Sequence, residues 1–141
     1  MSATLEQVGA ALVDALRSGE HDGTPIRAGL VEGRGAYNEI RVPMILIGPP
    51  SVSFEMLEEG FVVSSSDWTL ELHTGVAATG PSTLEDLRFL PASIAALQAD
   101  PTLGGVVQFV QPLTSDEPGT DAAQGKPPTM YSRALRVTVT H

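Results

Sequence analysis

Asp67-Trp68-Thr69-Leu70-Glu71-Leu72-His73-Thr74 is the stretch on which the fold turns. Successive side chains of an extended backbone point to opposite faces. Trp68, Leu70 and Leu72 therefore share one face, and Asp67, Thr69, Glu71 and His73 the other. That alternation predicts a strand buried on one side and wet on the other. Trp68 reads as a core anchor. The stretch also sets the scale of the domain, because a one-sided strand needs a layer of helices to close its apolar face.

Candidates for that layer lie on either side of it. Thr4-x-x-Gln7 is a capping-box pattern. Leu5, Val8, Leu12, Ala15 and Leu16 follow at helical spacing, and Gly19 is a stop, which predicts a helix over about residues 4–18. A second helix is predicted over 82–99. Ser82 or Thr83 caps it, Asp86 lies in its first turn, and Leu87, Leu90, Ile94 and Leu97 form an apolar stripe. Pro91 lies within this segment, so it is either one kinked helix or two short ones, and the stripe that continues unbroken across Pro91 favours the kink. Asp100-Pro101 ends it in both cases.

The remaining apolar runs read as strands. Ile26–Val31 is short. Tyr37–Ile47 contains Pro43, which predicts an edge strand or a bulge because proline cannot donate to a ladder. Val52–Leu57 and Phe61–Val63 flank a hairpin turn at Glu58-Glu59-Gly60, and Ser64-Ser65-Ser66 reads as a bend before Trp68. Val106–Val110 is ended by Pro112, and Met130–Thr140 closes the chain. Residues 32–39 read as a glycine-flanked loop, and residues 114–128 as a long structureless one without a large apolar side chain. The order is α-β-β-β-β-α-β-β. It predicts an α+β domain: a small mixed or antiparallel sheet of about five to six strands, with the N-terminal helix and a second helix packed on one face. The 141 residues suit one domain.

Composition excludes several functions. The chain has no cysteine, hence no disulfide framework and no thiolate metal site. No apolar run approaches the ~18 residues of a membrane span. Residues 1–6 lack the basic and apolar regions of a secretory signal, so the cytoplasm of the producing cell is expected. The net charge is −9, and no two basic residues are adjacent. The nearest pair, Arg133 and Arg136, falls on opposite strand faces. Tight nucleic-acid binding needs clustered cations, so this chain is expected not to hold DNA.

No catalytic or cofactor set emerges. There is no Gly-x-Ser-x-Gly elbow, and Gly33-Arg34-Gly35 does not open a helix as a phosphate loop must. Asp67, Glu71 and His73 share a strand face, but zinc sites usually need three or more converging ligands, and nothing places His21 or His141 near them. A solvated face is the simpler reading, and Glu20-His21-Asp22-Gly23 is a polar turn. Catalytic, cofactor and metal residues are therefore expected to be none. Arg34 and Tyr37, on the glycine-flanked loop, are contact candidates.

Taken in order, these features resemble the tail terminator (tail completion) proteins of long-tailed bacteriophages and related particles. The amphipathic N-terminal helix, the strand ending Ile45-Leu46-Ile47-Gly48, the Trp68–His73 strand and the second helix carry the resemblance. So does Leu97-x-x-Asp100-Pro101-x-Leu103-Gly104-Gly105-Val106-Val107, followed by the closing strand with Tyr131. The resemblance implies a structural protein of the virion, assembled in the host cytoplasm and resident at the head–tail junction. Such a protein forms a hexameric ring that caps the tail tube, stops its polymerisation and meets the head connector, with DNA passing through the lumen unbound. It implies no membrane partner. A neighbouring connector or minor tail component of the same particle is the nearest alternative, and a small metal- or ligand-binding enzyme lies further off. The candidate assembly contacts are Arg34, Tyr37, Glu71, His73, Asp116 and Glu117.

Overall fold

The computed structural model describes residues 3–33, 40–75, 80–121, 125 and 128–141. Helix α1 spans Leu5–Arg17. The Thr4 hydroxyl accepts from the Gln7 amide at 3.1 Å, and the Gln7 side chain accepts from the Thr4 amide at 2.8 Å. These reciprocal bonds satisfy N–H groups that a helix start leaves orphaned. Val8, Leu12, Val13, Ala15 and Leu16 are buried. Gly9 and Gly19 let the helix sit close to its neighbours. A Cβ on Gly9 would lie 3.3 Å from the Trp68 ring, and one on Gly19 only 2.5 Å from the Ala96 Cβ.

After α1 comes a two-stranded hairpin, β1 (Glu20–His21) and β2 (Thr24–Pro25). Asp22 and Gly23 form its turn with φ of 51° and 78°. A tight twisted hairpin requires positive φ at both central positions. The polar turn expected at 20–23 is thus part of a hairpin.

Among the described residues the main sheet has seven strands. Strands β3 (Arg27–Leu30), β4 (Met44–Ile47), β6 (Gly60–Thr74), β9 (Tyr131–Thr140) and β7 (Phe109–Ser115) lie side by side in that order. Strand β5 (Ser51–Leu57) pairs with the first part of β6, and β8 (Gly119–Thr120) with the start of β9. The β3–β4 pairing is parallel and the other pairings among the described residues are antiparallel, so the sheet is mixed. The fold is α+β, with α1 and α2 (Thr83–Ala99) on one face. Ile45, Ile47, Trp68, Leu70, Leu72, Leu135, Val137 and Val139 face them and form the core with Phe89 and Leu97. The alternation of 67–72 holds as read.

Several expectations are corrected. Pro43 does not sit in a strand: β4 begins after it and is flanked by β3 and β6, so it is an interior strand. Residues 64–66 are not a bend. They lie inside β6, where Ser53 opposes Ser65 and Phe54 opposes Val63, leaving Ser64 as a one-residue bulge. The strand expected at 106–110 starts at Phe109, because residues 101–108 are held in consecutive turns. It runs on through Pro112, whose missing donor is absorbed by a register shift between Pro112 and Thr114. The segment 114–128 is not structureless, since β8 pairs with β9 and Asp121 accepts bonds from the Thr129 and Met130 amides at 2.7 and 3.0 Å.

Helix α2 is continuous through Pro91, and the Ser82 hydroxyl caps it by accepting from the Glu85 amide at 3.2 Å. Its buried face keeps three of the four residues of the expected stripe: Leu97 is buried, and Leu90 and Ile94 pack partly buried against the core. Leu87 does not belong to it, being 59% exposed, while Asp86, Phe89, Ser93 and Ala96 are inside. Beside Leu87, the inward place is taken by a buried ion pair that hydrophobic spacing cannot register. The Arg133 guanidinium donates to Asp86 through Nε at 3.1 Å and Nη2 at 2.5 Å. This bidentate geometry ties the start of α2 to β9. Arg133 also donates to the Asp116 carbonyl at 3.0 Å. The hydrogen bond that Arg133 donates to Asp86 raises the Arg133 pKa further above its already high value. Arg136, three positions on, faces the other side as expected and pairs with Asp116 at 3.3 Å.

The Asp100–Gly105 turn behaves as its residues suggest. Leu103 packs back into the core, and Leu103, Gly104 and Gly105 have positive φ. The Asp100 carboxylate accepts from the Gly104 amide at 2.9 Å.

Candidate functional site

The β5–β6 hairpin outruns the rest of the sheet. Strand β9 pairs with β6 only from Ser65 to Thr74, and β5 packs chiefly on β6. Residues 53–64 therefore form a two-stranded arm whose outer edges are unpaired among the described residues, except that the Ser64 carbonyl accepts from the His141 amide at 3.1 Å. Unpaired strand edges of this kind are templates for association.

The arm is apolar. Phe54 is 57% exposed, Met56 73% and Phe61 66%, and Leu57 and Val62 are exposed too. Phe54 opposes Val63 and Met56 opposes Phe61, which puts these four side chains on one face. The Phe54 and Phe61 rings meet edge to face at 5.7 Å. That is a favoured aromatic geometry. Val52, on the same side of β5, opposes Ser66, and Ser66 shares a face with Trp68 and Leu70. The arm's ridge is therefore the core face of the sheet, continued beyond the helices that cover it.

The root of the arm is pinned by a polar relay. The Trp68 indole donates to the Ser66 hydroxyl at 2.8 Å, and that hydroxyl lies 2.7 Å from His141 Nε2. Burial pushes the His141 pKa down, which favours the neutral ring, and the tautomer of that ring sets which partner donates between Ser66 and His141. The arrangement joins the bulge, the core tryptophan and the end of β9.

The expected contact residues are dispersed. Arg34 and Tyr37 lie outside the described residues. Asp116 and Glu117 are exposed between β7 and β8, with Asp116 paired to Arg136. Glu71 and His73 share the sheet's second face, but that face is not uniformly wet as expected. His73 is 5% exposed and Leu46, beside it, is also buried. Alternation predicts a wet face only where the sheet is covered on one side, and around Leu46 and His73 the second side is closed as well. His73 Nδ1 lies 2.9 Å from the Ser132 hydroxyl, and its Nε2 stands 3.7 Å from Glu71. The second separation is beyond hydrogen-bond reach. Desolvation lowers the His73 pKa, and the nearby Glu71 charge opposes that shift.

Among the described residues no group of three or more His, Asp or Glu side chains could hold a metal ion. A cavity of about 150 Å³ beside the β1–β2 hairpin is lined by His21, Asp22, Arg27, Glu85 and Phe89. His21 stacks edge-on against Phe89 at 5.0 Å and so acts as a core side chain. None of the described helices is long and apolar enough to cross a membrane. Neither models of known protein families nor curated proteins give a match to this chain. The arm is legible in the sequence as two β-rich runs around a turn. What the sequence does not carry is that none of the described residues covers it.

Proposed function

We propose that this protein is a structural assembly subunit of a long-tailed bacteriophage or phage-like particle. In this reading it forms a homo-oligomeric ring, six subunits by the family resemblance, at the head–tail junction of the virion. The ring caps the tail tube, stops its polymerisation and joins it to the head connector, while DNA passes through without specific binding. The observation that carries the reading is the exposed apolar arm. The three large side chains on its ridge, Phe54, Met56 and Phe61, expose roughly 400 Å² at ~200 Å² per residue, within the range of the largest patch seen on ordinary monomers. Burying that area is worth roughly 10 kcal/mol at ~25 cal/mol/Å². Association itself costs about 4–15 kcal/mol, so such a surface is exposed to be buried in an assembly and needs a complementary partner surface. The acidic charge supports the lumen reading, since a net −9 repels a phosphate backbone.

The test is reconstitution with the tail-tube subunit of the same particle. The protein should shorten growing tubes and appear by electron microscopy as a ring at one tube end, leaving a surface that binds the connector. Tubes that elongate equally with and without it would refute the capping role. Rings that bind the connector but not tubes would favour the neighbouring connector component.

A further inference from the structure

We propose that the β5–β6 arm of one copy docks on the outer face of α2 of the next copy, a contact that rests on the ring reading above. The arm's ridge of Val52, Phe54, Met56, Phe61 and Val63 continues the sheet face that, inside the protein, packs on helices. What it lacks is a helix. Helix α2 has the matching surplus. Its inner face is spent on the core, yet Leu84 and Leu87 are 57% and 59% exposed. Exposed Pro91 follows at the same helical spacing. A helix apolar on two sides is normally covered on both.

Charge selects this pairing. The arm carries Glu55, Glu58 and Glu59, all exposed. Arg88, exposed beside Leu84 and Leu87, makes no ion pair with any described residue. The competing apolar groove, between Leu5, Gly9, Leu30, Pro49 and Trp68, carries Glu6 and no base, so it would repel the arm's acidic tip. Within one chain the two surfaces do not meet, because β5 packs chiefly on β6. Donor and acceptor surfaces differ, so the contact is head to tail and closes into a ring when the rotation per subunit allows. The roughly 400 Å² of the ridge would supply the apolar centre of an interface whose standard size is about 800 Å² per partner.

Two double variants test this. Phe54→Ser/Phe61→Ser disables the arm, and Leu84→Ser/Leu87→Ser disables the helix face. All four positions are solvent-exposed, and circular dichroism reports whether the fold is kept. In sedimentation velocity each variant alone should be a monomer. An equimolar mixture should form a heterodimer, because one intact arm and one intact helix face remain per pair. Arg88→Glu should weaken assembly by about tenfold or more, and Glu58→Arg/Glu59→Arg in the same chain should restore it. If the arm variant falls apart while the helix variant assembles as wild type, the arm docks elsewhere and the proposal fails. If both variants still form rings, this interface is wrong and the ring reading stands. If wild type is monomeric at all concentrations, both are overturned.

Discussion

Replacing Asp86 by alanine should destabilise the monomer by about 3–5 kcal/mol, the cost of leaving one member of a buried ion pair unpartnered. Asp86 is 3% exposed, and its partner Arg133 has a side chain only 13% exposed. The guanidinium keeps the Asp116 carbonyl at 3.0 Å and lies near one end of β9, so the lower end of that range applies. For a domain of this length about 3 kcal/mol corresponds to a loss of melting temperature on the order of 10 °C. Urea unfolding followed by circular dichroism reads it directly. Two companions sharpen the test. Asp86→Leu/Arg133→Met, which removes both charges, should recover to within about 1 kcal/mol of wild type. Leu87→Ala, one position along, should change monomer stability by less than about 0.5 kcal/mol because its side chain is exposed. The opposite ranking, with Leu87→Ala costly and Asp86→Ala neutral, would mean that α2 packs by its hydrophobic stripe and that the orientation described above is wrong.

Other perturbations probe the packing and the arm. Gly19→Ala forces a Cβ to 2.5 Å from Ala96. It should cost about 1–3 kcal/mol by overpacking, and an unchanged urea midpoint would refute that close approach. Ser66→Ala strips the Trp68 indole of its acceptor. It should cost about 1–3 kcal/mol, with a shift in tryptophan fluorescence. No shift and no loss would dismiss the relay at the arm's root. Stability should also depend on the protonation of buried His73. The folded-state pKa of His73 lies below its ordinary value of 6.5, so the unfolded chain takes up the proton first. Its contribution is therefore complete above about pH 6.5 and is lost as pH falls toward the lowered folded value. Wild type measured against His73→Gln should show this loss as the pH is lowered through about 6.5. A wild type that instead gains stability relative to the variant over that descent would reverse the sign.

What the sequence disclosed follows from how local each signal is. The Thr4–Gln7 capping box and the Trp68–Leu72 alternation depend on neighbours a few residues away, and both stand as read. The burial of Asp86 depends on Arg133, 47 positions away, so a stripe drawn from hydrophobicity alone finds Leu90, Ile94 and Leu97 but takes the exposed Leu87 for core and misses Asp86. Prolines mislead in two opposite ways. Pro43 reads as part of a strand that begins just after it, and Pro112 reads as a stop where a bulge absorbs it. The weak β8 pairing and the acceptor role of Asp121 leave no periodicity to see. At the candidate surface, the hairpin is visible as Val52–Leu57 and Phe61–Val63. Its exposure is not, because exposure depends on where β9 stops and the helices end. The burial of His73 is hidden for the same reason.

The central claim is that the exposed arm exists to be buried between copies of this chain. Light scattering coupled to size exclusion, run on wild type and on Phe54→Ser/Phe61→Ser over a wide concentration range, tests it most directly. Wild type should show a mass of about six times the 14.8 kDa chain, and the folded arm variant a single chain. A wild type that stays at 14.8 kDa throughout, or an arm variant that keeps the wild-type mass, would contradict it.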